Sequence, residues 1–383
     1  MALPSGGDAL LGDDHIKRMA RECAFKRFSP TPDNIPRKPP SAPIRILGSG
    51  LSALTLACSL RKKNIPFKIY TRDRRPRGAW DRHDCSLLLP ARIIRALRKL
   101  LCMNKDDFRR TLLVPFTTPF PSKIRNKVKM RIHRGKLEYL LRQGFEKEIE
   151  WECEIKVETK DVQTIRPVVV FRGNVLLSKS SWDRKFRDWF PENTAQIREK
   201  FDKTILELLI NDVHPHTGDV KLSYVYSRPR LDGPIDSPDE LWVPTRSNDE
   251  AWSPVLIGKF LDEVKIFRQE HNLPGPYDEV FNPERMKEDK IVHWLLRCTS
   301  ANQPKLINLW IGDERIFKLG DAVFHMAILE TTGAELAIQD GLGVASEIER
   351  RGGMMLHRWL ISGWNERLWH GHASFRRTTE RYR

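Results

Sequence analysis

The sequence is poor in the features that build disulfide scaffolds, zinc sites and membrane spans. Its 6 cysteines form no Cys-x-x-Cys pair, and its 11 histidines include no His-Glu-x-x-His motif. His214 and His216 leave a shared metal open, although a Pro/Gly turn favours ordinary loop residues. No apolar run approaches the ~20 residues that a membrane helix needs, and the first residues show no apolar signal core. We therefore expect a reducing compartment, by default the cytosol.

The charge of the chain is strongly basic. Lys and Arg number 66 against 50 Asp and Glu, a formal net charge of +16. Such a balance favours phosphates, acidic ligands or anionic surfaces. The basic residues are spread along the chain, with one dense run at 72–77 and no zinc-finger, RNA-recognition or basic-zipper spacing. A solvated basic surface is the favoured interpretation and no nucleic acid is expected, but a nucleic-acid or membrane-surface binder remains an alternative.

Composition and pattern divide the chain into consecutive parts. We expect a flexible, proline-rich extension over 1–42, a first part of a dinucleotide-binding domain over 43–160, a sheet-and-helix domain over 161–310, a second part of the dinucleotide-binding domain over 311–353 and a helical tail over 354–383.

The stretch IRILGSGLSALTLACSLRKKNIPFKIYTRD at 44–73 is typical of a dinucleotide-binding unit. The pattern predicts a strand, a helix and a second strand: Ile44–Leu47, Ser52–Lys63 and Phe67–Tyr70. Between the first strand and the helix, Gly48 allows a tight turn and Gly50 allows close approach of a pyrophosphate. By itself this signal is weak, because a glycine turn also precedes helices in other α/β proteins.

Further elements follow from periodicity. The chain up to about residue 145 reads as helical and basic. The later segments predict a strand over 165–173, a helix over 197–210, a half-buried strand over 221–229 that stops at a proline, a helix that begins at Pro254, and an apolar strand over 290–297.

The segment at 315–353 holds the most specific motif. A short strand is predicted to end at Leu319, and Gly320-Asp321 follows at its carboxyl end, where open α/β sheets bind ligands. Thr332 and Glu335 form a capping-box pattern at the start of a helix that runs to residue 352. The free N–H groups and positive dipole end of that helix suit an electron-rich ring edge or a phosphate.

These motifs, together with HRGKL at 133–137, have the order and spacing of one family. The chain resembles the group A FAD-dependent monooxygenases of the aromatic-hydroxylase type, and most closely those of fungal secondary metabolism. The segments 223–229, 241–246 and 293–297 are also similar to that branch. The resemblance covers roughly residues 43 to 350. It implies an α/β fold, in which a Rossmann-like FAD-binding domain is accompanied by a β-sheet/helix substrate domain.

The resemblance also implies an activity and a set of cofactor contacts. It implies an FAD-dependent oxidoreductase that takes electrons from transient NAD(P)H and transfers one atom of O2 to a bulky, lipophilic organic substrate. The residues with an implied FAD contact are Gly48, Gly50, Arg134, Gly320, Asp321, Gly333 and Ala334. The first two would approach the pyrophosphate, Asp321 would bind the ribityl chain, and the backbone of Gly333 and Ala334 would face the O2/N1 edge of the flavin.

No catalytic side chain is identified. Tyr226 and Arg228, on the predicted strand over 221–229, would suit the orientation of a phenol or enol. A cross-strand structural pair is the favoured interpretation of these two residues.

The sequence also departs from the family. Thr71 stands where the family has a Glu that binds the adenosine ribose, although Asp73, two residues on, points to the same face of an extended strand. Loss of one charged hydrogen bond costs about 1.5–3 kcal/mol. An Asp-Gly motif is missing from the middle region, which implies a shortened FAD-binding domain. Phe324 replaces a histidine and Ala327 a proline near the flavin. These departures keep open a flavin-fold protein with a non-oxidative, cyclase-like or scaffold role.

Overall fold

A computed structural model describes residues 43–76, 85–114, 129–153, 163–165, 167–191, 194–214, 216–231, 239–242, 253–294, 296–299, 319–320 and 333–351. Its strands are β1 Ile44–Leu47, β2 Phe67–Tyr70, β3 Ser86–Pro90, β4 Lys129–His133, β5 Ile149–Glu150, β6 Gln163–Ile165, β7 Val168–Leu177, β8 Gln196–Phe201, β9 Thr204–Val213, β10 Val220–Pro229, β11 Val292–His293 and β12 Arg297–Thr299. Its α-helices are α1 Leu51–Lys62, α2 Ala91–Leu100, α3 Lys105–Leu112, α4 Arg134–Arg142, α5 Lys179–Lys185, α6 Pro254–His271, α7 Gly275–Val280, α8 Pro283–Met286 and α9 Gly333–Arg351.

The dinucleotide-type unit forms as the sequence predicts. β1, β2 and β5 make a parallel sheet in the order β1-β2-β5, and both predicted strands have the predicted bounds. The helix between them begins and ends one residue earlier than predicted, at Leu51 and Lys62. Its side chains Leu54, Ala57 and Leu60 are fully buried, as the apolar pattern of the segment requires.

Two strands interrupt the region that was expected to be helical up to residue 145. β3 precedes α2 and α3 in the chain, β4 follows them, and the two strands pair antiparallel. The prediction of a helical region is therefore wrong at these two strands. β4 alternates with a period of two, since Met130 and Ile132 enter the core while Arg131 points to the opposite face.

The middle of the chain forms a second, antiparallel sheet in the order β11-β7-β10-β9-β8. The helix predicted over 197–210 is wrong, because this stretch forms β8 and β9. Asp202 turns the chain between them with a φ of +49°. Apolar residues at this spacing fit a helix as well as two short strands, and the turn carries no glycine or proline to mark it. Pairing of β9 with β10 decides in favour of strands.

The remaining elements differ from the predictions in extent. β10 lies between β7 and β9 and is buried on both faces instead of half-buried. The strand predicted over 290–297 is reduced to β11 and the start of β12. The helix from Pro254 is confirmed, and it buries Phe260, whose ring stacks on Phe171 of β7 with centroids 3.9 Å apart.

Cys58, Cys85, Cys102 and Cys153 are free thiols. Within the described ranges, no helix combines the length and apolar character that crossing a membrane requires.

Candidate cofactor site

The turn between β1 and α1 is built around two glycines. Gly48 has a φ of +97°, a conformation that favours glycine, and its N–H donates to the Tyr70 carbonyl at 2.7 Å. Gly50 is the N-cap of α1 in extended conformation. An added Cβ at Gly48 or Gly50 would meet none of the described atoms within 4 Å. The turn therefore leaves room for a ligand directly before a helix N-terminus, as a pyrophosphate needs.

The tip of β2 carries a hydroxyl–carboxylate cluster beside that turn. Asp73 Oδ2 accepts hydrogen bonds from Ser49 Oγ and from Thr71 Oγ1, each at 2.7 Å. The two hydroxyl oxygens lie 3.1 Å apart, and both residues are buried. The tip of β2 therefore still carries an acid, which is Asp73. Thr71 helps to hold its carboxylate next to the glycine turn.

Gly320 lies between α1 and α9. It has a φ of +55°, and its N–H donates to Oδ2 of the buried Asp340 of α9 at 3.1 Å. An added Cβ would lie 2.7 Å from Ser52 Oγ of α1, two residues beyond Gly50. The structure therefore brings Gly320 next to the glycine turn. Asp321, with which it was paired in the sequence prediction, lies outside the described residues, as do Thr332, Phe324 and Ala327.

The start of α9 is joined to α2 by an ion pair. The helix begins at Gly333, and Ala334 packs against the core. Glu335 in its first turn accepts from Arg92 Nε at 3.1 Å and from Arg92 Nη2 at 2.5 Å. This guanidinium places positive charge at the helix end whose dipole is already positive, and it offsets the carboxylate of Glu335 there.

Arg134 begins α4 directly after β4. Its backbone N–H donates to the Cys85 carbonyl at 2.9 Å, and its Nε donates to Oε1 of Glu138 at 2.8 Å. Glu138 lies one turn further along the same helix and is fully buried. The side chain of Arg134 is 26% exposed, so a buried carboxylate orients a guanidinium that still reaches the surface. Its contact with FAD remains a prediction.

Helix α1 contacts the other elements that carry the candidate FAD-binding residues. It packs against α9, which carries Gly333 and Ala334, and against α4, which begins at Arg134. The glycine turn stands at the N-terminus of α1. The described residues with an implied FAD contact therefore belong to elements packed around one helix.

A buried arginine that the sequence analysis missed connects the β3–β4 ribbon to the large sheet. Arg131 Nη1 donates to Ser86 Oγ at 3.0 Å, and Nη2 donates to Gln196 Oε1 of β8 at 2.8 Å. Burial lowers the pKa of Arg131 to about 10. The signal that could have found it is the alternation with Met130 and Ile132, which places the arginine on the face opposite the core.

The face of the large sheet next to this ribbon is polar. Ser223 Oγ accepts from Arg172 Nη2 at 2.6 Å and from Asn211 Nδ2 at 2.5 Å, and it donates to Asn174 Oδ1 at 2.5 Å. Ser86 Oγ donates to Asn211 Oδ1 at 3.4 Å. This polar cluster thus extends from the sheet to the ribbon whose second strand leads into α4.

Tyr226 and Arg228 point to the other face of the sheet, towards α6. Tyr226 Oη donates to Glu263 Oε1 at 2.6 Å, and Arg228 pairs with both Glu263 and Asp239. Burial and the Glu263 carboxylate raise the pKa of the Tyr226 phenol. The two side chains are engaged inside the fold, in agreement with the structural interpretation that the sequence favoured.

The histidine pair is part of a turn. His214 Nδ1 accepts from the backbone N–H of Thr217 at 3.1 Å, and the rings of His214 and His216 lie 5.9 Å apart. No group of three or more possible metal ligands occurs in the part of the chain that the structure describes.

Comparison of sequences finds similarity to fungal flavoenzymes. The chain is 28% identical over 187 residues to the FAD-dependent monooxygenase aptC of Emericella nidulans, a match that covers 48% of this chain and 41% of aptC. It is 26% identical over 221 residues to the FAD-dependent monooxygenase adaC of Aspergillus niger, which covers 57% of this chain and 50% of adaC. The chain thus spans about half the length of the curated relatives it matches. No family model matches the chain.

Solved structures show the same architecture over most of the chain. The 2,6-dihydroxypyridine-3-hydroxylase of Arthrobacter nicotinovorans superposes with a TM-score of 0.60 at 14% identity, and covers 90% of this chain and 92% of its own. CtdE, solved in complex with FAD and a substrate, gives a TM-score of 0.58 at 12% identity over 88% of each chain. The chain thus has the aromatic-hydroxylase fold and is a divergent relative, by sequence, of the fungal FAD-dependent monooxygenases.

Proposed function

We propose that the chain is an FAD-dependent monooxygenase that acts on a bulky, lipophilic organic intermediate of secondary metabolism. The observation that carries the proposal is the glycine turn of Gly48 and Gly50. An added Cβ at either glycine would meet none of the described atoms within 4 Å, and Gly320 and α9 are packed against helix α1, which follows this turn. The similarity to named FAD-dependent monooxygenases supplies the cofactor and the reaction class.

Each part of the site has a role in this proposal. The backbone around Gly50 would bind the pyrophosphate, Arg134 would contact the cofactor, and the N–H groups of Gly333 and Ala334 would stabilise negative charge on the reduced ring. Bound FAD would supply the activation of O2, and the protein would hold the substrate and exclude water. The polar cluster around Ser223 is the candidate group to orient the substrate.

The finer features of the proposal come from the sequence. They are NADH or NADPH as the transient reductant, a cytosolic location and Asp321 as the ribityl ligand. The FAD-binding domain would comprise 43–160 and 311–353, and the substrate domain 161–310.

The test is the visible spectrum of the purified protein with added FAD, followed by NAD(P)H under air. We expect bound flavin that NAD(P)H bleaches and O2 restores. Bound flavin that is not reduced would instead favour a non-oxidative role for the fold. An absence of flavin binding at high added FAD would contradict the proposal as a whole.

A further inference from the structure

We propose that Asp73 is the acid that accepts the hydroxyl groups of the adenosine ribose of FAD, and that Ser49 and Thr71 hold it in place for that purpose. This role rests on the proposed function, because it concerns the cofactor assigned there. It assigns a binding residue at a position different from the one where the family resemblance placed an acid.

The geometry of the carboxylate supports this assignment. Ser49 lies between Gly48 and Gly50, and its hydroxyl donates to Asp73 across 24 residues of sequence. The carboxylate is therefore held one hydrogen bond away from the turn that would bind the pyrophosphate. In a dinucleotide unit the ribose lies next to the pyrophosphate, so an acid at this place is within reach of its hydroxyls.

The backbone around Asp73 is equally fixed. The N–H of Thr71 donates to the Glu150 carbonyl at 3.0 Å, and the N–H of Cys153 donates to the Thr71 carbonyl at 2.9 Å. The N–H of Glu152 donates to the Asp73 carbonyl at 3.1 Å. These bonds extend the pairing of β2 with β5 beyond both strands. The segment from Thr71 to Asp73 is thus held before any ligand arrives, which lowers the entropic cost of binding.

The partition of burial fits a ligand-facing acid. Ser49 and Thr71 are 1% and 2% exposed, whereas Asp73 is only half-buried. The hydroxyls are enclosed and fix the carboxylate from the protein side, while Asp73 as a residue is partly exposed. A carboxylate that accepts hydroxyl hydrogen bonds is a charged acceptor, and such bonds are stronger than those between neutral groups.

The arrangement also changes what a glutamate at position 71 would do. Thr71→Glu would place a second carboxylate in an enclosed position beside Asp73, and like charges at that distance repel. We therefore expect the single variant to weaken FAD binding. The exchange of Thr71→Glu together with Asp73→Ser should restore it, because one acid then stands at the tip of β2.

The test compares FAD with an FAD analogue whose adenosine ribose lacks both hydroxyls. Dissociation constants are measured by flavin fluorescence for the unaltered protein, for Asp73→Asn and for Asp202→Asn, a control in the exposed turn between β8 and β9. We expect the unaltered protein and the control to bind FAD about ten- to hundredfold more tightly than the analogue, and Asp73→Asn to lose most of this preference.

The outcomes separate the two proposals. A preference for FAD that survives Asp73→Asn, or the absence of a preference in the unaltered protein, would overturn the role of Asp73 and leave the monooxygenase proposal standing. An unaltered protein that binds no FAD would overturn both. Should Asp73→Asn fail to fold, Asp73→Ser and the exchange variant are compared instead. We expect Asp73→Ser to lose the preference and the exchange variant to regain it, and a preference that Asp73→Ser keeps would overturn the role of Asp73. If Asp73 were merely structural, the glutamate introduced by Thr71→Glu would not restore the preference.

Discussion

His293 is a buried histidine at the edge of the large sheet. It is 2% exposed and lies on β11, where its ring packs against Phe171 at 4.8 Å between centroids. Among the described residues, neither ring nitrogen has a hydrogen-bond partner. Burial lowers the pKa of His293 from 6.5 to about 4, although the nearby Asp239 carboxylate acts in the opposite direction. The folded protein therefore keeps this ring neutral.

The depressed pKa gives the folding stability a dependence on pH. Below pH 6.5 the unfolded chain takes up a proton that the folded chain does not, so the contribution of neutral His293 is complete above that pH and is lost as the pH falls towards about 4. We expect a loss on the order of 3 kcal/mol across this window. Urea unfolding at a series of pH values would measure it, with His293→Phe as the comparison. An equally steep decline in His293→Phe would contradict the assignment.

Some residue-scale features could be predicted from the sequence and others could not. The glycine turn at Gly48 and Gly50 could be predicted, because such turns have a fixed spacing between a strand and a helix. The missing acid at Thr71 followed from the family resemblance. The bond from Ser49 to Asp73 could not be predicted, since a contact across 24 residues depends on how two turns meet in space. The hydrogen bonds of Arg131 could not be predicted for the same reason, since Ser86 and Gln196 lie on other strands, although the alternation of β4 indicates which face Arg131 occupies.

At the scale of elements, the packing of α1 against α9 requires a glycine. An added Cβ at Gly341 would lie 2.5 Å from the Ser52 carbonyl oxygen and 2.8 Å from the Leu56 backbone nitrogen, both in α1. We expect Gly341→Ala to push the helices apart and to lower the free energy of unfolding by about 1–3 kcal/mol. Because Gly320 lies beside Ser52 at the same contact, FAD binding should weaken as well.

Gly258 of α6 is the matched control for this change. It is exposed, and an added Cβ would meet none of the described atoms within 4 Å. Gly258→Ala should therefore raise stability by up to about 1 kcal/mol, because alanine loses less entropy in a helix. Thermal denaturation of the two variants beside the unaltered protein checks both signs. A Gly341→Ala protein as stable as the Gly258→Ala protein would show that the two helices do not meet as described.

The elements themselves were predicted best where periodicity had one interpretation. The bounds of β1 and β2 were right, and α6 was right at its proline start, since each pattern matched a single period. The stretch at 197–210 was wrong because its apolar residues satisfied both periods. Only pairing with β10, a neighbour in space, distinguishes the two.

At the scale of the whole molecule, the two larger hydrophobic clusters of the described residues are joined by polar contacts. One cluster surrounds α1 and includes α9, and the other lies between the large sheet and α6. Between them run the bonds of Arg131 and the ion pair of Lys136 with Asp212, whose nitrogen and oxygen lie 3.0 Å apart. These polar contacts could not be predicted from the sequence, because each of the charged residues that form them also suits a solvated surface.

The central claim is that the turn of Gly48 and Gly50 binds the pyrophosphate of FAD. It is tested most directly by titrating the unaltered protein and Gly50→Ala with FAD, each with thermal denaturation in the absence of ligand. Gly50 has an extended backbone, and an added Cβ would meet none of the described atoms within 4 Å, so the methyl group should leave the melting temperature of the ligand-free protein unchanged. We expect the same methyl group to obstruct the phosphates and to weaken FAD binding at least tenfold, about 1.4 kcal/mol. FAD binding of equal strength in both proteins would contradict the account.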